Sequence, residues 1–314
     1  VAPPAEASRL AEHDLFGRLA TAAMLPGVTA CMEAFRPDLV LREPCEYASA
    51  VVARRRGVPA AQVAISLAQA EAGALEVAGP ALEAVEPGLV ATLRGGIYLT
   101  SFPASLDPSP FDDTRRFGAD RGPEPEPLPD WWPGDGAPLV YLTFGTVLGH
   151  MDRALEVFRT ALDALSPLEA RVLLTVGPAV DPAALGPVGP RVHRERWVDQ
   201  ERVLARADVV VCHGGSGTTF GALAAGRPVV VAPVFADQFE NGRRLARAGA
   251  GLTLRPGPED RDRPRRAFGP GDGPALTEAV RRVLDEPDFA RAAATVAREM
   301  AGRPTAAQVL AGLA

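Results

Sequence analysis

The chain has 314 residues, 47% of them hydrophobic and 23% charged, with a formal net charge of −6: enough material for two ordinary domains, and the wrong sign of charge for a nucleic-acid surface. Cys31, Cys45 and Cys212 are odd in number and far apart, which suggests neither a disulfide framework nor a zinc motif. Apart from histidine every basic residue is Arg, and the absence of Lys excludes a lysine-bearing phosphate loop and Schiff-base chemistry.

In chain order, residues 9–35 read as mostly helical, 37–41 as a strand, 46–57 as a helix and 59–66 as a strand. This half is α/β but has few strands for a complete domain, so its opening part is expected to precede Val1. The Pro-, Gly- and acid-rich stretch 120–138 cannot continue a helix or a strand and reads as an interdomain linker. It sets an N-terminal domain at 1–122, a linker at 123–136 and a C-terminal domain at 137–314. Beyond it strands at 139–147, 170–177, 191–198, 209–212 and 228–234 alternate with helices at 152–165, 200–207, 218–226 and 238–250. That alternation predicts a parallel doubly wound sheet with ligands at the C-terminal ends of its strands. Residues 258–274 read as a surface loop and 274–302 as two amphipathic closing helices. No apolar stretch is expected to reach the roughly 18 residues of a membrane span, and no signal-peptide pattern stands at Val1, so the expectation is a cytoplasmic protein without membrane partners.

The densest signal is CHGGSGTTFGALAAGRP, residues 212–228. Glycines 214, 215 and 217 sit in a strand-to-helix turn, where the first helical amides have no partner inside the helix and present the positive end of the dipole. Such a turn makes an anion site: Gly215 and Gly217 admit phosphate oxygens, and His213, Ser216, Thr218 and Thr219 add side-chain donors. A capped helix after a tight turn is the simpler alternative.

With YLTFGT (141–146), RWVDQERVLARADVVVCHGGSGTTFGALAAGRPVVVAPVFADQFENGRRL (196–245) and GAGLTL (249–254), residues 137–314 resemble the donor-binding half of nucleotide-sugar glycosyltransferases of the UDP-glycosyltransferase superfamily, which have the GT-B fold. RPDLVLREPCEYASAVVARRRGVP (36–59) resembles the later part of the N-terminal, acceptor-binding domain of bacterial members that glycosylate natural products. The resemblance implies two Rossmann-like domains facing a cleft, the N-terminal one incomplete here, and an inverting transfer that needs no metal or other cofactor. It implies a nucleobase stacked on Trp197 beside the Val198 backbone, with Gln200 at the base end; the alternative for Trp197 is a core tryptophan. Asp199 stands where the family usually has Pro. His213, Gly215, Ser216, Gly217, Thr218 and Thr146 match the diphosphate cradle. Asp237 and Gln238 match the pair that binds the donor sugar's hydroxyls, with Asn241 one turn on; a helix cap at Asp237 is compatible with that role.

The resemblance also has gaps. Many members that use UDP-sugars carry a ribose-binding Glu eight residues after the motif His, where this chain has Gly221, so a dTDP-sugar, a deoxyhexose, is expected in preference to a UDP-sugar. Glu43 matches the acid that orients a catalytic His, but His13, with no preceding strand or glycine, reads as a helix-surface residue, and no other His occupies the base's place. The Asp260–Asp262 acid pair follows no strand and reads as solvated loop rather than a metal motif. The expected partners are a nucleotide-sugar donor and a hydrophobic aglycone, with the protein a monomer or homodimer; a non-catalytic nucleotide-sugar binder and a GT-B-fold sugar-nucleotide epimerase are the alternatives.

Overall fold

The computed structural model describes residues 6–7, 9–118, 126–132, 135–254 and 267–313. The chain divides into two compact units, Val1–Asp120 with Gly302–Ala314, and Arg121–Ala301. The closing segment from Gly302, which the sequence reading kept with the C-terminal domain, groups with the first unit.

In the first unit a parallel sheet runs in the order β1 (Val40–Arg42), β2 (Ala60–Val63), β3 (Ile97–Thr100), β4 (Asp113–Arg116). The sequence reading missed β3 and β4, and the helices Ala68–Val85 and Leu89–Gly95 that precede them. Pro80 lies inside the first of these helices, and β4 is the polar run DTRR at the sheet edge, so neither shows its period plainly. Tyr47, Val51, Leu75, Leu82, Tyr98 and Phe111 form the core, with Tyr98 stacked on Phe111. Beside them the buried Glu71 accepts from Gln62 Nε2, Tyr98 OH and the amides of Ile65 and Ser66, four donors that offset part of the burial that raises its pKa.

The expectation about apolar stretches needs correction. The helical run Arg9–Phe35, π-helical over Arg9–Ala20 and α-helical over Thr21–Phe35, has 27 residues; its most apolar 18-residue window has a mean hydropathy of 1.3 and is 17% buried. By length and composition it is long and apolar enough to cross a membrane. Arg18, Thr21, Pro26, Gly27, Thr29 and Glu33 interrupt its apolar residues, which hides the stretch from a search for unbroken apolar runs.

The second unit carries six parallel strands in the order β10, β9, β8, β5, β6, β7. They are β5 (Leu139–Thr143), β6 (Arg171–Thr175), β7 (Val192–Glu195), β8 (Val209–Cys212), β9 (Val229–Val231) and β10 (Gly251–Thr253). Every residue of β5, β8 and β9 is buried, as expected of a sheet covered by helices on both faces. One face sets Val140, Leu142, Val172, Leu174, Val209, Val211 and Val230 against Phe158 and Leu162 of the helix Ala154–Leu165 and Val280 of the helix Gly273–Asp285. Strands end earlier than the sequence suggested, because Gly145 turns the chain at φ 71° after β5 and Pro233 follows β9. The strand order reverses direction between β5 and β8, and in open α/β sheets the ligand crevice opens at such a switch point.

Candidate donor site

A cavity of about 570 Å3 opens at the C-terminal ends of these strands in the second unit. Each contributing loop follows a strand: Gly145 to Val147 after β5, Gly177 after β6, Arg196 to Val198 after β7, His213 to Thr218 after β8, and Phe235 to Gln238 after β9. The sheet itself places Trp197, Val198, Gln200, Thr146, His213, Gly215, Ser216, Gly217, Thr218, Asp237 and Gln238 around one space. Asn241 and Gly221 are not on its wall, and Glu43 belongs to the first unit.

At the centre is the helix Ser216–Ala224, whose N-cap is Gly215 with no side chain capping it. A glycine cap leaves the amides of Ser216, Gly217 and Thr218 without an internal acceptor at the positive end of the helix, open for an anion on the cavity side. The His213 ring fits into this turn because two neighbours lack a side chain. A Cβ on Gly145 would lie 2.8 Å from His213 Cε1, and one on Gly215 would collide with Nε2. Burial pushes the imidazole pKa down to about 4, against an opposing pull from the Asp237 carboxylate, so near neutral pH His213 offers an N–H without a positive charge. Its Nδ1 is buried without a hydrogen-bond partner.

Thr219 is the exception among the hydroxyls of the turn. It is fully buried and its Oγ1 lies 3.7 Å from Cys212 Sγ, so it ties the helix to β8 and does not reach the cavity. At the other end Trp197 is 73% exposed on the cavity wall, which removes the core-tryptophan alternative and leaves an aromatic face for a ring to stack on. Asp199 accepts from the Glu201 amide at 3.0 Å and so caps the helix Gln200–Leu204, which gives the departure from Pro a local purpose. Gln200 Nε2 is buried without a partner beside the cavity.

The β9 loop carries the remaining groups. Gln238 is 2% exposed, and its Oε1 accepts from the Val234 and Phe235 amides at 2.8 and 2.9 Å, so its carbonyl shapes the loop. Asp237 is the N-cap residue of the helix Gln238–Arg247 but makes no side-chain cap; its Oδ2 accepts from Ser216 Oγ at 3.2 Å. Ala236, between Phe235 and Asp237, holds φ 54°, a left-handed conformation that aims its neighbours at the cavity wall at some backbone strain.

Several wall residues are not marked by the sequence. Tyr141 and Thr143 of β5 and Thr175 of β6 are buried and form a hydroxyl row, Tyr141 OH to Thr175 Oγ1 at 3.1 Å and Thr175 Oγ1 to Thr143 Oγ1 at 2.9 Å. The signal was a polar residue at alternate positions of otherwise apolar strands, all on one face. Arg196, Phe235 and Gly177 also line the space.

In the first unit Glu43 follows β1, is exposed, and its Oε2 accepts from the Cys45 amide at 2.9 Å. His13 lies in the N-terminal helical run with Nδ1 2.9 Å from Asp14 Oδ1. The Asp260–Asp262 pair falls outside the described residues, as does part of the linker and of the 258–274 loop. Among the described residues no group of three or more His, Cys, Asp or Glu is placed to hold a metal ion.

The family described as erythromycin biosynthesis protein CIII-like, C-terminal domain, matches residues 159–314. The chain is 35% identical over 299 residues to the L-demethylnoviosyl transferase of Streptomyces niveus, covering 92% of this chain and 74% of that protein. The chain belongs to the natural-product glycosyltransferases. It is also 32% identical over 303 residues to the elloramycin glycosyltransferase of Streptomyces olivaceus, covering 90% of this chain and 69% of the relative. Among solved structures a spinosyn rhamnosyltransferase superposes with a TM-score of 0.78 at 24% identity, over 93% of this chain and 77% of that one. A glycosyltransferase from Streptomyces nogalater gives 0.71 at 25%, over 93% and 78%. This glycosyltransferase therefore has the GT-B fold, and its chemistry is the transfer of a sugar.

Proposed function

We propose that this glycosyltransferase transfers a deoxysugar from a dTDP-sugar, with inversion, to a hydroxyl of a small hydrophobic natural-product aglycone. The cavity supports the donor half: an exposed tryptophan at one end, an uncapped helix start with a neutral imidazole in the middle, and a carboxylate at the other end suit base, diphosphate and sugar in that order. In the transfer the acceptor oxygen forms a bond to the anomeric carbon as the bond from that carbon to the phosphate oxygen breaks. The electron pair leaves on the diphosphate, where the amides of residues 216–218 and His213 meet the growing charge. Fixed dipoles supply this stabilisation without a metal or another cofactor. Glu43 is the carboxylate proposed to orient the imidazole that takes the acceptor's proton, a role that no histidine of the given sequence fills; His13 is paired with Asp14 instead.

Gly221 is the observation that favours dTDP over UDP. A Cβ there would meet only Leu204 Cδ1, at an ordinary 3.6 Å, so packing does not demand glycine, and the absence of the ribose-binding acid fits a sugar without a 2′-hydroxyl. The spinosyn rhamnosyltransferase has been solved with thymidine diphosphate, and another neighbour, the glycosyltransferase VinC, with dTDP.

Calorimetric titration tests this reading. dTDP is expected to bind about tenfold or more tightly than UDP, and clearly tighter UDP binding would refute the donor assignment. Incubation with a dTDP-sugar and aglycones separates transfer from binding without turnover and from isomerisation of the sugar.

A further inference from the structure

We infer that Asn241, which does not reach the cavity, is a positioning residue for the diphosphate and acts through Gly214 and Ser216. The inference rests on the donor reading above. Asn241 is 1% exposed, one helical turn beyond Asp237. Its Nδ2 donates to the Gly214 carbonyl at 2.8 Å, and lies 3.2 Å from Ser216 Oγ and 3.3 Å from Asp237 Oδ2. An amide nitrogen has two hydrogens. One is committed to Gly214, and the other is shared between Ser216 and Asp237. The Gly214 carbonyl fixes the amide's orientation, because a flipped group would set Oδ1 against another acceptor. Accordingly Oδ1 is left buried with no partner, an acceptor sacrificed to hold the donors in place.

The proton count gives this a consequence. Ser216 has one hydroxyl hydrogen, and because Asn241 donates to its oxygen and cannot accept from it, that hydrogen is left to go to an acceptor on the other side. With the site empty it goes to Asp237 Oδ2 at 3.2 Å. A diphosphate at the start of the helix carries more negative charge and attracts the hydrogen more strongly. When Ser216 turns its hydrogen to the phosphate, Asp237 keeps the shared N–H of Asn241 and gains room to accept from a sugar hydroxyl. Asn241 thus fixes Ser216 as a phosphate donor and links diphosphate binding to the sugar-facing carboxylate. The same amide holds the Gly214 carbonyl, and with it the turn that aims the helix amides.

Asn241→Leu keeps the branched shape, is bulkier and removes the donors, Asn241→Ala controls for misfit of the leucine, and Ser216→Ala removes the hydroxyl. Titrations with dTDP and with thymidine read the effect on the phosphates apart from the effect on the base. In both Asn241 variants dTDP is expected to bind about tenfold more weakly, with thymidine within about twofold of the unaltered protein. Adding Ser216→Ala to Asn241→Leu should cost less than Ser216→Ala alone, because the hydroxyl has already lost its orientation. Equal losses for dTDP and thymidine, or additive effects of the two substitutions, would overturn the inference. If the unaltered protein binds neither ligand, the donor reading fails first and the inference falls with it.

Discussion

His213→Ala is expected to lower kcat by about 10²- to 10³-fold, the usual cost of removing one fixed donor from a developing negative charge. The loss falls on the chemical step, because the leaving diphosphate carries more charge in the transition state than in the bound donor, whereas the exposed Trp197 face proposed for the base is untouched. Steady-state kinetics with a saturating dTDP-sugar reads this directly, and a rise in KM with unchanged kcat would mean that His213 only helps to bind. The same imidazole sets a pH dependence. Its folded pKa, pushed down to about 4 by burial, lies below the ordinary 6.5, so as pH falls the unfolded chain takes up a proton first. Its contribution to stability is fully present above pH 6.5 and falls away toward pH 4, by up to about 3 kcal/mol if the shift is fully expressed. Urea unfolding of the unaltered protein should show that decline, and His213→Ala should remove this part of it.

Gly214→Ala should unfold the turn from the opposite side. Gly214 holds φ 93°, and a Cβ there would lie 2.7 Å from Val231 Cγ1 and 2.8 Å from the Gln238 carbonyl oxygen. The backbone oxygen cannot move without dragging the start of the helix Gln238–Arg247, so the methyl adds overpacking to the ordinary cost of a left-handed alanine. Together they predict a stability loss of about 3 kcal/mol and the loss of measurable dTDP binding, since the carbonyl held by Asn241 and the amides that follow are re-aimed. Gly217→Ala is the control, because a Cβ there meets nothing within 4 Å, and its stability should be unchanged or slightly higher. Equal destabilisation by the two would show that the turn is not specially constrained.

What the sequence disclosed follows from which residues carry a local signal. The run VVVC before HGGSG showed β8 and the phosphate turn because β-branched residues bounded by glycine have few other uses. In the first unit β4 packs only half-buried polar side chains at an edge, and Pro80 breaks the pattern of a long helix, so their placement depends on neighbours that no local window contains. The site behaves likewise. Its loops stood at strand ends that could be read, but the Tyr141, Thr143 and Thr175 row exists only once β5 and β6 are paired. Helical spacing placed Asn241 on the right face, and only the packing of the helix Gln238–Arg247 against Gly214 turned it away from the cavity to serve the turn. Thr219 shows the reverse error, a hydroxyl counted with its neighbours that the helix rotates inward to Cys212.

In the proposed mechanism free amides at the start of one helix, with a neutral imidazole beside them, hold the diphosphate of the donor. A crystal structure of the dTDP complex tests it most directly. Phosphate oxygens are expected within hydrogen-bond distance of the Ser216, Gly217 and Thr218 amides and of His213, with the thymine ring on Trp197. A complex with dTDP bound elsewhere and this turn empty would contradict it.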